Sequence, residues 1–154
     1  MPIPPLQEDG LLPPGLYVAD MDQIAERFGK STPRRQELFE RLRMFVELAQ
    51  HCGALRMFVN DSFVTAKPEP GDVDVVIWLG TKYLELLEQN DESAIRLEEM
   101  FDTRQPKEAF WVDTEQKWSG WVEFFSRARG HLHLRKQKGL VEVKLRCLKM
   151  KKIS

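Results

Sequence analysis

The chain has 154 residues, 42% hydrophobic and 31% charged, with a formal net charge of −1, which reads as one globular domain burying about two-thirds of its unfolded surface. That balance excludes an intrinsically disordered chain and leaves no overall basic footprint for nucleic acid. No apolar run approaches the roughly 20 residues of a membrane span, and Met1-Pro2-Ile3-Pro4-Pro5 lacks the basic and apolar regions of a signal peptide, so the expected location is cytoplasmic, with no membrane partner.

Pro2, Pro4, Pro5, Pro13 and Pro14 exclude regular structure from residues 1–15, an extended Pro-rich arm that either lies on the domain or stays free of it. Residues 16–154 are expected to form the single domain. Asp20 caps a short helix that runs to Phe28 and stops at Gly29. A second helix starts at Ser31-Thr32-Pro33, a capping residue followed by proline. Leu38, Leu42, Phe45, Val46, Leu48 and Ala49 carry it at helical spacing to His51, and Gly53 ends it. A strand at 55–60, a polar turn and a strand at 72–79 come next. Helices at 82–89 and 91–101 follow, with Asn90 or Asp91 as cap. Beyond Pro106, an aromatic-rich strand at 108–113 leads to a helix at 114–128 presenting Trp118, Trp121, Val122 and Phe125. A polar connection at 130–139 ends in a strand at 140–147, with Val141, Val143, Leu145 and Cys147 facing inward. This order, without a repeat, predicts an α/β (α+β) fold: a small mixed sheet with helices mainly on one face.

Cys52 and Cys147 sit in periodic segments and read as buried thiols of a reducing compartment. His51, His131 and His133 are scattered, and no Cys or carboxylate stands near enough in sequence to complete a zinc site.

The chemistry concentrates between the strands at 55–60 and 72–79. Asp72 and Asp74 alternate with Val73, Val75 and Ile77, so in an extended chain they share one face, about 7 Å apart. Paired carboxylates repel and Asp is a poor strand former, so a cation belongs between them. Mg²⁺ is the natural choice because it combines one or two carboxylates with substrate phosphates. The alternative is that Asp72 ends the Pro-Gly turn while Asp74 faces solvent. Ahead of the pair, Ser62, Thr65 and Lys67 lie in a segment rich in the turn formers Pro68, Pro70 and Gly71, whose successive N–H groups suit phosphate.

Ser62, Asp72 and Asp74 in this order resemble the signature of the nucleotidyltransferase superfamily of the DNA polymerase beta type, which is Gly-Ser, a spacer and Asp-x-Asp. Leu12-Pro13-Pro14-Gly15-Leu16, Arg27-Phe28-Gly29, Arg34-Arg35, Ser62-Phe63-Val64-Thr65-Ala66-Lys67-Pro68 and Lys138-Gly139-Leu140-Val141-Glu142-Val143 extend the resemblance over nearly the whole chain. They point to a small bacterial branch of that superfamily. The resemblance implies a nucleotidyltransferase-like fold and a Mg²⁺-dependent transfer of NMP from NTP to a hydroxyl on RNA, a protein or a small molecule. On this reading Ser62, Thr65, Lys67 and Lys138 serve the phosphates and Asp72 and Asp74 the metal.

The superfamily pattern adds a third carboxylate that completes the metal set and takes the proton of the attacking hydroxyl. Asp113, at the end of the strand at 108–113, is the favoured candidate, with a cap for the following helix as its other reading. Glu142 is the second candidate, and its other reading is an ion pair on a sheet face. Arg127, Arg129, Arg135, Lys136, Lys138, Lys144, Arg146, Lys149, Lys151 and Lys152 make the C-terminal part basic. That part either contacts a triphosphate or RNA backbone or balances the acidic helices as solvated surface. Trp111, Trp118 and Trp121 read as core.

Position 61 departs from the signature, since it carries Asp where the pattern has Gly. Two unit charges about 4 Å apart at an effective dielectric near 20 interact by about 4 kcal/mol, enough to weaken nucleotide binding by orders of magnitude if Asp61 faces the phosphates. This raises a second expectation, a catalytically inactive member of the fold that acts as a binding partner. An antitoxin or defence-module component, paired with the product of a neighbouring gene, would be of this kind.

Overall fold

The computed structural model describes residues 3–60, 62–68, 70, 71, 73–103, 108–127 and 137–145. Strand β1 (Leu16–Ala19) leads to helices α1 (Met21–Phe28) and α2 (Pro33–His51). Strand β2 (Arg56–Asn60), a 3-10 turn (Ser62–Val64) and strand β3 (Asp74–Trp78) follow. Helices α3 (Thr81–Glu88) and α4 (Glu92–Asp102), strand β4 (Ala109–Val112), helix α5 (Glu115–Phe125) and strand β5 (Leu140–Val143) complete the order.

The helix starts obey local chemistry. Asp20 and Gln23 form a reciprocal capping box on α1, each side chain accepting from the other's backbone N–H, at 2.8 and 2.9 Å. Thr32, Asp91 and Thr114 cap α2, α4 and α5 by accepting from the N–H of Arg35, Ala94 and Lys117. Asp91 is therefore the cap before α4, while Asn90 takes the left-handed conformation at φ 58° that ends α3.

The five strands form one mixed sheet in the order β1-β5-β2-β3-β4. β1 pairs parallel with β5 and β3 parallel with β4, whereas β2 is antiparallel to both of its neighbours. Met57, Val59, Val75, Ile77, Val141 and Val143 point to one face, where they pack with Ile24 and Phe28 of α1, Leu42 and Phe45 of α2, Tyr83 of α3 and Leu97 of α4. Phe58, Val76, Val112 and Leu140 point to the other and meet Trp118 and Phe125 of α5. Helices thus cover mainly one face of an α+β fold. Cys52 is fully buried, which pushes its thiol up to about 11 and leaves it inert. Trp118 is core as expected, but Trp111 on the edge strand β4 is 39% exposed.

β1 is an addition to the strands read from sequence. The arm before it is part of the domain: Leu12 is 1% exposed, and Arg27 donates to the carbonyls of Ile3 and Pro4 at 2.7 and 2.8 Å. Gly139 donates to Leu12 O at 2.9 Å and Leu140 to Gly15 O at 2.8 Å, so the Leu12–Leu16 and Lys138–Val143 motifs of the sequence lie side by side. The last strand ends at Val143 instead of reaching Cys147, and α5 ends at Phe125 instead of Ala128. Cys147, Ala128, His131 and His133 lie outside the described residues, as does Pro106. Among the described residues no helix is long and apolar enough to cross a membrane.

Candidate functional site

The loop between β2 and β3 is organised by the first turn of α2. Cations at a helix N-terminus oppose its dipole, so two arginines there signal a specific task. Arg35 is 4% exposed and spends its guanidinium on backbone carbonyls. Nη1 donates to Phe28 O at 3.1 Å and Phe63 O at 2.7 Å, and Nη2 donates to Thr65 O and Lys67 O, each at 2.6 Å. The plane also lies over the Phe63 ring, 5.8 Å from its centroid. Desolvation pulls this guanidinium below the ordinary arginine value, yet an arginine stays charged throughout. Arg34 donates to Pro70 O at 3.0 Å and to Gly71 O, and Thr32 Oγ1 to Pro68 O at 3.3 Å. The loop's carbonyls are thereby collected on the helix side. Two of its N–H groups are spent elsewhere: Ala66 N donates to Gly10 O of the arm at 2.9 Å and Lys67 N to Thr65 Oγ1 at 3.2 Å.

At the same edge of the sheet, Asn60 of β2 stands directly opposite Asp74 of β3. The pair alternates with Val59 and Val75 and so lies on the face of Phe58 and Val76, toward α5. Asn60 is 4% exposed and Asp74 half-buried. β5 runs antiparallel to β2, with Val59 opposite Val141, so Lys138 just before β5 enters at this edge. Its backbone N–H donates to Ser126 O at 2.7 Å, and Lys67 is exposed in the loop. Of the residues expected to serve phosphate or metal, Thr65 and Lys67 lie in the β2–β3 loop, Asp74 at the head of β3 and Lys138 just before β5. Asp61, Asp72 and the Ser62 side chain lie outside the described residues, as do Arg129, Arg135, Lys136, Arg146, Lys149, Lys151 and Lys152.

The third-acid candidates are placed otherwise. Asp113 follows Val112, which stands opposite Trp78, so it lies past the far end of β3 from Asp74, about 16 Å along the strand. It is half exposed, pairs with Lys117 at 3.0 Å, and leaves the capping of α5 to Thr114. Asp113 therefore neither shares a site with Asp74 nor caps the helix. Glu142 is on the right face but accepts from Arg56 through both oxygens, Oε1 from Nη2 at 2.6 Å and Oε2 from Nε at 2.8 Å. The Arg56 guanidinium in turn sits 4.6 Å above the Trp118 ring. The hydrogen bonds to Glu142 raise the Arg56 pKa, and the ion pair expected as the other reading of Glu142 is present.

Two residues absent from the sequence-based set belong to this edge. Arg35 was visible only as half of an arginine pair. Glu108, 5% exposed, passes its backbone beside Asp74, its carbonyl accepting from Val75 N at 2.8 Å, while its carboxylate pairs with Arg41 of α2. Among the described residues no three of His, Cys, Asp and Glu form a metal-holding group. The hard oxygen donors at the edge are the Asp74 carboxylate and the amide oxygen of Asn60, which accepts no hydrogen bond among the described residues. That donor chemistry fits Mg²⁺. A cavity of about 620 Å³, lined by Asp20, Met21, Phe39, Val46, Lys144 and Leu145, opens at the opposite end of β5, away from this edge.

No curated protein matches the chain, and no solved structure does. A family model covers residues 4–144, reaching from the docked arm through the paired loop and strands to the end of β5, and by that match the chain belongs to DUF6932, a family of unknown function.

Proposed function

We propose that the protein is a Mg²⁺-dependent, nucleotidyltransferase-like protein that binds an NTP at the edge formed by the β2–β3 loop and the head of β3. It passes the NMP to a hydroxyl on RNA, a protein or a small molecule. The observation that carries this reading is the capture of the loop's carbonyls by Arg34 and Arg35 immediately before an inward carboxylate at Asp74. A loop held from behind loses little entropy on meeting a phosphate, and that preorganisation favours anion binding. Lys67 and Lys138 add positive charge at the mouth. Asp74, with Asp72 assigned from sequence, would hold the cation, whose contribution is to neutralise phosphate charge as the bond to the leaving group breaks.

A second reading, a binding partner of the same fold without transferase activity, draws support from the two third-acid candidates. Glu142 is committed to Arg56 and Asp113 sits at the far end of β3, and Asp61 adds negative charge to the loop. It carries the suggestion of a protein partner encoded nearby.

Isothermal titration of Mg-ATP, Mg-GTP, Mg-CTP and Mg-UTP, with transfer of label from the same nucleotides, separates the two. At least one nucleotide is expected to bind, and Asp74→Ala is expected to weaken it at least 100-fold, about 2.7 kcal/mol. Asp113→Ala is expected to leave affinity within a factor of two. Binding that survives Asp74→Ala would sink the nucleotide reading. Binding without label transfer to any acceptor would select the second one.

A further inference from the structure

The amide of Asn60 is the least explained polar group in the core. It lies at the end of β2 with 4% of its surface exposed, and its Oδ1 accepts no hydrogen bond from the described residues. Buried polar atoms are almost always paired, and Asn has a low preference for strands, so packing alone does not account for it. Directly across the ladder stands Asp74. Opposed residues of an antiparallel pair have Cβ atoms about 4.5–5.5 Å apart on one face, so the acceptor-only carboxylate of Asp74 and the amide of Asn60 stand side by side on that face.

We infer that Asn60 is a cation ligand, its Oδ1 forming with the Asp74 carboxylate a two-oxygen seat for a hard divalent ion across β2 and β3. This rests on the nucleotide reading above and adds to it a residue that the Asp-x-Asp pattern does not contain. Carboxylate and amide oxygens favour Mg²⁺, Mn²⁺ and Ca²⁺ over zinc or copper. The charge of the seat sets its behaviour. One neutral and one anionic ligand hold a divalent ion weakly, and phosphate oxygens supply the rest, so metal and nucleotide bind cooperatively, each tightening the other by the same factor. The neutral amide is suited to this, since a second carboxylate in its place would hold the ion without nucleotide.

Mn²⁺ is the probe, followed by electron paramagnetic resonance and titration calorimetry, alone and with ATP, on the full chain. Wild type is expected to bind Mn²⁺ weakly alone and at least tenfold more tightly with ATP present. Asn60→Leu, with the same number and branching of side-chain heavy atoms, is expected to lose at least tenfold in Mn²⁺ affinity without losing thermal stability, because it removes a buried acceptor along with the ligand. Asn60→Asp is expected to bind Mn²⁺ alone at least fivefold more tightly than wild type and to be thermally stabilised by it. If Asp74→Ala abolishes Mn-ATP binding while Asn60→Leu keeps it within a factor of two, the inference fails and the nucleotide reading stands. Should Asn60→Leu not fold, unchanged Mn²⁺ affinity in Asn60→Asp overturns the inference by itself. A wild-type protein that binds neither Mn²⁺ nor ATP overturns both.

Discussion

Arg35→Met is expected to lower unfolding stability by about 3–4 kcal/mol, the range found when a buried charged hydrogen-bond network is broken. The methionine fills the space of the arginine stem, so the loss comes from the head group. Each carbonyl bonded to a charged donor contributes about 1.5–3 kcal/mol, and the carbonyls of Phe28, Phe63, Thr65 and Lys67 all lose that donor. Water reaches Thr65 and Lys67 more readily than the deeply placed Phe28 and Phe63, so the total falls well below the sum. Arg35→Lys keeps the charge but gives up the planar fork, and at least half of the loss is expected to remain. Urea unfolding monitored by tryptophan fluorescence measures it, read as a shift in midpoint at constant slope. On the proposed nucleotide reading, ATP binding should be lost in both variants. A shift of under about 1 kcal/mol would mean that the loop holds its shape without the arginine.

The second large effect belongs to Gly139→Ala, for a reason of space. A Cβ on Gly139 would lie 2.3 Å from the Pro13 carbonyl oxygen, 2.8 Å from the Tyr17 ring and 2.9 Å from Leu12 Cβ. The oxygen is backbone and cannot swing aside. The parallel pairing of β1 with β5 must therefore open, weakening the Gly139 N to Leu12 O and Leu140 N to Gly15 O bonds. Overpacking of this kind costs about 1–3 kcal/mol, and the rigid backbone puts this case at the upper end. The smaller unfolded-state entropy of alanine returns about 0.4–1 kcal/mol, so a net loss of about 2 kcal/mol is expected by thermal unfolding. Gly120→Ala is the control. It lies inside α5 with nothing within 4 Å of its Cβ, and should gain about 0.5–1 kcal/mol from helix propensity. Equal behaviour of the two variants would refute the steric argument.

The outcome at particular residues shows what kind of information each feature needs. Asp20, Thr32 and Asp91 act within three residues of their own position, so the starts of α1, α2 and α4 were readable from the chain. The apolar runs Met57 to Val59 and Val75 to Ile77 are equally local and marked β2 and β3, while their packing on both sheet faces is seen only in the structure. β1 was not readable, because four residues at a sheet edge carry little pattern and owe their strand to the partner β5. Arg35 shows the same dependence. Its sequence neighbourhood says surface helix, and only the arrival of the β2–β3 loop over α2 gives its guanidinium carbonyls to hold.

Asp113 and Glu142 make the distinction sharpest for the site. Both are carboxylates on or beside a strand of the same sheet, which is as far as composition and spacing reach. Parallel register with β3 carries Asp113 to the end opposite Asp74, and antiparallel register with β2 delivers Glu142 to Arg56. By itself the sequence determined the α+β class, the starts of α1, α2 and α4 and the loop-then-carboxylate order, because those follow from contacts between near neighbours. Which carboxylates meet, which arginine is buried and which amide faces Asp74 were decided only by strand order and register. Those are set by the joint burial of the two sheet faces, a property of distant segments packed together that no local window contains.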